Sequence, residues 1–291
     1  MTAASRSDDE RAVSKAHLVP DGDFAGTVHS VFASACNLAV RGRLVTVHDA
    51  TARHTPTSIR VSGAGRAWSP MARIGDAASC RSGILTFGAH VLDLREVPVW
   101  APGPAVAPAP ADVVGGLVGE VAELRDHHVA ARGIATPGLA GRADDLHAAL
   151  LARPRGADGV DSAIGRLVGF GPGLTPAGDD LLVGLMAVLV RADAGSAWAA
   201  HAVRLVARSV HGQAHRTTDI SAHHLRLAAA GRFGEPITRL VDAVAGGASR
   251  ALVRTRTHDV LRVGASSGAD AVSGLLLGLR ALLPHFEQKA A

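Results

Sequence analysis

Short runs of Val, Ile, Thr and Phe, separated by Gly, Pro and Asp, fill the N-terminal third of the chain. This pattern is typical of β-strands divided by turns. The predicted strands lie within residues 27–32, 38–48, 58–62 and 83–94. Within the second segment, Arg41-Gly42-Arg43 stands between apolar stretches and predicts a hairpin turn.

The C-terminal part of the chain has a different pattern, in which Ala, Leu, Val and Arg recur at helical spacing. The predicted helices cover residues 113–129, 143–151, 180–190, 197–210, 221–230, 236–245 and 269–283. Gly231 follows one helical run and predicts its C-terminal end, while Pro236 is suited to the first position of the next helix.

Five prolines interleaved with small residues between Val97 and Ala111 predict an extended connector. We therefore expect an α+β protein with a small β-rich N-terminal domain, residues 1–97, and a larger, mainly helical domain, residues 112–291. Residues 98–111 form the predicted linker. No repeat at a fixed period is evident in the sequence.

Composition restricts the class of protein further. The 291 residues are 47% hydrophobic and 19% charged, which excludes a disordered chain. The net charge of +4 and an aromatic content of 3% do not favour nucleic-acid binding. The longest apolar run, residues 181–190, is too short to cross a bilayer, and residues 1–10 lack the order of a signal peptide. With only two cysteines, Cys36 and Cys80, we expect a soluble cytoplasmic protein.

The first motif, residues 169–180, combines four glycines with Thr175 and ends in the acidic pair Asp179-Asp180, directly before an apolar helical run. Backbone N–H groups in such a loop and at the following helix start can hold an anion. Two carboxylates would repel that anion unless a cation such as Mg²⁺ intervenes, or they could accept hydrogen bonds from a carbamoyl NH₂ group. The alternative is that Asp179 only caps the helix.

The second motif, Thr217-Thr218-Asp219-Ile220-Ser221, precedes another predicted helix. Either Asp219 or Ser221 could cap that helix, and either could contact a ligand. His211 and His215 are four residues apart upstream, so on a continuous helix they would share a face with Asp219, and a transition-metal site is conceivable.

The third motif, residues 264–270, repeats the small, hydroxylated and acidic composition of the first and also precedes a helix. Gly274 and Gly278 in that helix favour close helix packing. Ser266 or Ser267 could act as a nucleophile only with a histidine base, and no GxSxG sequence is present. The three motifs together could face one pocket.

These three motifs closely resemble those of the oxamate carbamoyltransferase subunit AllH family. Two N-terminal stretches, Val28-His29-Ser30-Val31-Phe32 and Asn37-Leu38, together with Thr55-Pro56, also look like that family's opening. The resemblance extends from about residue 26 to residue 283. It departs from the usual family pattern at Ala177 and Ser266, where the family commonly has Ser and Thr; neither change removes a glycine or an acid.

The resemblance implies a subunit of a multi-subunit enzyme that converts oxalurate and phosphate to oxamate and carbamoyl phosphate, or runs the reverse, in bacterial purine and allantoin breakdown. It does not specify the metal or the subunit that holds the active site. Arg254-Thr255-Arg256-Thr257 only superficially matches the phosphate loop of ordinary transcarbamylases. The alternatives are a non-catalytic assembly or regulatory subunit, and a stand-alone metal- or nucleotide-dependent enzyme acting on a small ureido or phosphorylated compound.

The hypothesis assigns a small anionic substrate and partner subunits to this chain, with Mg²⁺ as a conceivable cofactor and with neither nucleic acid nor membrane as a partner. The candidate catalytic residues are Asp179, Asp180, Asp219 and Asp270, and the candidate substrate- and phosphate-binding residues are Gly171, Gly173, Thr175, Gly178, Thr217, Thr218, Ser266, Ser267 and Gly268.

Overall fold

A computed structural model of the chain describes residues 11–62, 68, 71–152, 157–192 and 197–286. The chain divides into two compact units, an N-terminal unit, Met1–Pro102, and a C-terminal unit, Gly103–Ala291. Strands form the first unit and helices the second, which confirms the predicted α+β class. Across the described ranges, no helix has both the length and the apolar content needed to span a bilayer. The segment considered for a signal peptide, residues 1–10, lies outside the described residues.

The N-terminal unit contains one nine-stranded sheet in the order β8-β7-β6-β2-β3-β4-β5-β1-β9. Most neighbouring strands are antiparallel, whereas β4 with β5 and β1 with β9 are parallel. The strands are β1 Ala12–Ala16, β2 Phe24–Val31, β3 Ala35–Val40, β4 Arg43–Asp49, β5 Ser58–Val61, β6 Ala77–Arg81, β7 Ile84–Phe87, β8 His90–Asp93 and β9 Val99–Trp100.

The two faces of the central strands differ in chemistry because successive side chains alternate between them. Leu38 on β3 is aligned with Val28 and Val45, and all three are fully buried in the apolar core of the unit. The preceding residue, Asn37, donates to Ser30 Oγ at 3.0 Å and accepts from Thr46 Oγ1 at 2.8 Å. Of the N-terminal stretches that resemble the AllH family, residues 28–31 lie on β2 and Asn37-Leu38 on the adjacent β3, whereas Thr55-Pro56 precedes β5.

Several details of the strand prediction change in the structure. The predicted turn is confirmed, since Arg41 and Gly42 have positive φ angles and join β3 to β4. The single segment 83–94 is divided into β7 and β8, and β1 and β6 were not predicted. Val99–Trp100 pairs with β1, so the predicted linker begins with a strand instead of being unpaired throughout.

Nine α-helices and one short 3₁₀ segment, Ala214–Arg216, make up the described part of the C-terminal unit. Their bounds are α1 Ala111–Arg132, α2 Leu139–Leu151, α3 Ala157–Leu167, α4 Ala177–Arg191, α5 Ala197–Gln213, α6 Asp219–Ala229, α7 Glu235–Ala245, α8 Arg250–Leu261 and α9 Ser267–Phe286. The predicted C-terminal end is confirmed, with Gly231 in the left-handed conformation after α6. Helix α7 begins at Glu235, one residue before the predicted start, so Pro236 is its second residue. Helices α3 and α8 were not predicted.

Helices α4 and α9 form the centre of this unit. Helix α4 is contacted by α3, α5, α6 and α7, while α9 is contacted by α1, α2 and α8. Where the two central helices meet, a Cβ atom added to Gly184 would lie 1.9 Å from the carbonyl oxygen of Ala271, and one added to Gly274 would lie 1.8 Å from that of Leu181. The predicted close packing at Gly274 and Gly278 is confirmed.

The contacts between α4 and α9 are reciprocal, which relates the two helices by a local two-fold axis. A constant offset along the chain pairs Gly184 with Gly274 and Leu181 with Ala271. The same offset pairs Gly178 with Gly268 and Asp180 with Asp270. The helices run side by side in the same direction, so both begin at the same end of the unit. Although the sequence shows no extended repeat, the glycines and the aspartate at the starts of the two helices occupy corresponding positions.

Candidate functional site

Asp179, in the first turn of α4, joins the first motif to the second. Its carboxylate is buried and accepts hydrogen bonds from the backbone N–H of Gly169 at 2.8 Å, from Thr217 Oγ1 at 2.5 Å and from Ser221 Oγ at 2.6 Å. Thr218 Oγ1 donates to the carbonyl oxygen of Leu174 at 2.5 Å. The start of α6 is thereby held against the glycine-rich loop.

The first and third motifs also meet. Thr175 Oγ1 lies 2.8 Å from Ser267 Oγ, so the start of α9 lies beside the start of α4. The structure thus brings all three motifs together, as the shared-pocket hypothesis requires.

The residues predicted to cap the N-termini of α4 and α6 are not the caps in the structure. Helix α4 begins after Pro176, and Asp179 binds groups outside its own helix instead of capping it. The cap of α6 is Thr218, whose Oγ1 accepts from Ser221 N at 3.1 Å, so neither Asp219 nor Ser221 is the cap. Asp219 is exposed at the first position of α6, unlike the other three candidate aspartates.

Asp180 and Asp270, here called the carboxyl pair, lie at equivalent positions at the starts of α4 and α9. Asp270 is 5% exposed. One oxygen of each residue, Oδ2, is shielded from solvent and has no hydrogen-bond partner among the described residues. A buried carboxyl oxygen without a partner is costly, and such costs are concentrated at functional sites.

The surroundings of the carboxyl pair favour the protonated form. Burial raises the pKa of Asp180 well above its usual range, and the negative charges of Asp270 and Asp179 add to that rise, although the hydroxyls of Ser267 and Thr175 oppose it. Burial also raises the pKa of Asp270 to about 6, against the lowering effects of the Ser266 hydroxyl and the positive charge of Arg125. Carboxyl groups with raised pKa values are suited to proton transfer near neutral pH.

Two glycines allow the acidic helix starts to approach the preceding helices. A Cβ atom at Gly178 would lie 2.1 Å from the carbonyl oxygen of Leu167, and one at Gly268 would lie 2.0 Å from that of Val260. Gly171 and Gly173 adopt positive φ angles of 112° and 97° in the loop before α4. The glycine positions therefore fix the backbone that carries the carboxyl pair.

Arg125, on α1, was missed by the sequence analysis. Its Nη1 donates to Ser273 Oγ at 3.0 Å, and its charge acts on Asp270. No pattern in α1 distinguishes this arginine from the many others in the chain, since only packing against α9 makes it part of the site.

The transition-metal hypothesis is not supported by helix geometry. Helix α5 ends at Gln213, and His215 lies in the 3₁₀ segment, where its Nδ1 is 2.9 Å from the carbonyl oxygen of Gly212. His211, His215 and Asp219 therefore do not share one helical face. Within residues 11–286, apart from the gaps noted above, no group of three His, Cys, Asp or Glu side chains is positioned to hold a metal ion.

The structure supports neither a serine nucleophile in the third motif nor a phosphate loop at residues 254–257. The hydroxyl of Ser267 contacts Thr175 and Asp180, and that of Ser266 contacts Asp270, so these serines do not show the histidine pairing that a serine nucleophile requires. The Arg254–Thr257 sequence lies on helix α8, where Arg254 approaches Glu120 at 3.3 Å and buried Thr257 donates to Val253 O. It does not form a phosphate loop.

The Asp270→Asn variant tests the raised pKa of Asp270 through the pH dependence of the free energy of unfolding. Because folding raises the pKa of Asp270 to about 6, its stabilising contribution is complete below the unfolded value near 4 and is lost as the pH rises through 6. Asparagine carries no charge, so the variant should equal the parent at pH 4 and be more stable at pH 7.5, by about 2 to 3 kcal/mol. Thermal unfolding across this pH range measures the difference. A variant less stable than the parent at pH 7.5 would contradict the assignment.

Comparison with known families gives two matches. Residues 167–279, which carry all three motifs, match the family model described as oxamate carbamoyltransferase subunit AllH. Residues 7–99 match the AllH family N-terminal domain. No curated protein and no solved structure matches the chain. The two matched ranges together cover most of the chain and lie one in each unit, and they include strands β1 to β8, the glycine-rich loop and the carboxyl pair; the chain belongs to the AllH family of carbamoyltransferase subunits.

Proposed function

We propose that this chain forms the substrate-binding part of a carbamoyltransferase that converts oxalurate and phosphate to oxamate and carbamoyl phosphate. The observation that carries the proposal is the carboxyl pair, two neighbouring buried carboxyl groups at adjacent helix starts, each with one oxygen that has no hydrogen-bond partner among the described residues. The family match supports a carbamoyltransferase subunit.

The carboxyl pair is suited to a carbamoyl group. The NH₂ of that group has two N–H donors, and carboxyl oxygens are strong acceptors. The starts of α4 and α9 carry partial positive charge, which favours the oxygens of an anionic substrate. The hydroxyls of Thr175, Ser266 and Ser267 add donors and acceptors around the same point.

The reaction requires one bond to form and one to break. A phosphate oxygen bonds to the carbamoyl carbon, and the bond from that carbon to the oxamate nitrogen breaks. The departing nitrogen takes a proton, because an amide anion is a poor leaving group. The site must therefore stabilise a negatively charged tetrahedral intermediate and supply a proton, and an acid with a raised pKa fits the second task.

The other candidate residues have supporting tasks in this proposal. Asp179 uses both of its oxygens to hold Gly169, Thr217 and Ser221, so it positions the loop and does not contact substrate. Thr218 holds Leu174 in the same way. Asp219, being exposed, stays at the edge of the site.

The experiment that tests the function combines the purified chain with the other subunits of the enzyme, oxalurate and inorganic phosphate. Carbamoyl phosphate is captured as citrulline by added ornithine carbamoyltransferase. We expect product with the complete mixture and none when this chain is omitted. An undiminished rate without the chain would contradict the proposal.

Two further measurements in this assay distinguish the proposed function from an assembly subunit and from a stand-alone enzyme. Activity that needs the chain but is unaffected by Asp180→Asn and Asp270→Asn would indicate an assembly subunit without a catalytic site. Turnover by the isolated chain that depends on an added nucleotide would indicate a stand-alone enzyme. Addition of EDTA, followed by Mg²⁺, tests the metal requirement in the same assay.

A further inference from the structure

The local two-fold axis between α4 and α9 places Asp180 and Asp270 in equivalent positions. Both follow a glycine that contacts the carbonyl of a preceding helix, and both precede a glycine at the contact between α4 and α9. If the neighbouring helices obeyed the same symmetry, the two carboxyl groups would have the same environment and could not be distinguished chemically.

Arg125 breaks this symmetry. Its Nη1 donates to Ser273, which lies one turn after Asp270 on α9, and Ser273 Oγ in turn donates to Ala269 O at 2.9 Å. The equivalent position on α4 is Val183, which has no group that could accept a hydrogen bond from an arginine. Arg125 therefore contacts α9, the helix that carries Asp270.

We propose that Arg125 gives the two carboxyl groups different roles: Asp270, on the helix that Arg125 contacts, is the carboxylate that accepts from the carbamoyl NH₂ group, and Asp180 is the acid that protonates the departing nitrogen. This inference rests on the proposed function. In the step it describes, the carbon–nitrogen bond breaks, its electron pair goes to the nitrogen, and the proton moves from Asp180 to that nitrogen. Phosphate supplies the new bond to carbon, and the Asp180 carboxylate is reprotonated from solvent.

The charges around the two carboxyl groups agree with these separate roles of Asp180 and Asp270. The charges that act on the pair come from Asp179 on α4 and Arg125 on α1, together with the pair itself. Arg125 Nε also lies 2.8 Å from Oδ1 of its neighbour Asp126, so its guanidinium is shared between this ion pair and α9. Arg125 lowers the pKa of Asp270, whereas Asp270 and Asp179 both raise that of Asp180. A pair of carboxyl groups whose pKa values are driven apart provides one acid and one base. The arginine also offsets the repulsion that two carboxyl groups would exert on an anionic substrate.

The direct test measures both ionisations without turnover. The chain is labelled with ¹³C-aspartate, and the two carboxyl resonances are assigned with Asp180→Asn and Asp270→Asn. We expect Asp270 to titrate first and Asp180 at higher pH. Arg125→Met should raise the pH at which Asp270 titrates, and Arg125→Lys should restore most of the original value. A titration of Asp270 that is unchanged in Arg125→Met, or a reversed order, would overturn the proposal.

Activity of the assembled enzyme supplies a second readout. Asp270→Asn should chiefly raise KM, Asp180→Asn should chiefly lower kcat, and Arg125→Met should move the acidic limb of the pH profile upwards. Equal effects of the two aspartate variants on kcat and KM would overturn the division of roles. If the titrations follow the expected order but oxalurate is not converted, the proposed function fails and the charge assignment stands. Thermal unfolding of Arg125→Lys shows whether that variant is folded.

Discussion

Asparagine in place of Asp180 is expected to lower kcat of the assembled enzyme by about 10²- to 10⁴-fold, the usual contribution of a general acid. Asparagine has nearly the same shape and can still hydrogen-bond, but it cannot transfer a proton. Because burial and two neighbouring carboxylates raise the pKa of Asp180, the substitution removes an unfavourable charge at high pH. The variant should therefore unfold at the same temperature as the parent or at a higher one.

The matched control for this variant is Asp144→Asn. Asp144 is an exposed aspartate on α2, so the same chemical change occurs away from the carboxyl pair. Citrulline-coupled rates and thermal unfolding are measured for both proteins at equal concentrations of the other subunits. Full activity of Asp180→Asn would remove Asp180 from the reaction.

The largest effect on stability is expected from Gly274→Ala. The new Cβ atom would lie 1.8 Å from the carbonyl oxygen of Leu181 and 2.9 Å from the backbone nitrogen of Leu185. Neither atom can move without displacing α4, so the two central helices must separate. Overpacking of this kind costs about 3 kcal/mol or more, a large share of the stability of a typical domain.

Gly141→Ala provides the control for that substitution. Gly141 lies within α2, and a Cβ atom there would meet nothing within 4 Å. Alanine is a better helix former than glycine by up to about 1 kcal/mol, so this variant should be slightly more stable. Chemical denaturation measures both. A Gly274→Ala protein as stable as the parent would mean that α4 and α9 are not in close contact.

The sequence pattern predicted the elements whose signals are local. The hairpin at Arg41-Gly42 needs only adjacent residues, and α4 and α9 are long apolar runs after glycine-rich loops. By contrast, β1 is stabilised by pairing with β5 and β9, which come much later in the chain. Helix α8 is polar along most of its length and buries few residues, so its periodicity is weak. Such elements depend on contacts that no short window contains.

Some parts of the candidate site could likewise be predicted from the sequence, and others could not. Because loop glycines and acidic helix starts are visible in the sequence, the meeting of the three motifs could be proposed. The different roles of Asp179 and Asp180 could not be predicted from the sequence. Adjacent residues on a helix point in different directions, and only the tertiary contacts show that Asp179 has hydrogen-bond partners for both oxygens whereas Asp180 does not. Arg125 belongs to a helix without a motif, and its role follows from a hydrogen bond to a residue far along the chain.

The reciprocal packing of α4 and α9 also has an evolutionary implication. Two copies of one helix around a local axis are what a dimer of shorter, identical chains would contain, with the same acid from each subunit at its centre. In such an ancestor, any substitution near one acid would also appear near the other. Once both copies belonged to a single polypeptide, each could diverge alone, and an enzyme with two identical acids could acquire one donor and one acceptor.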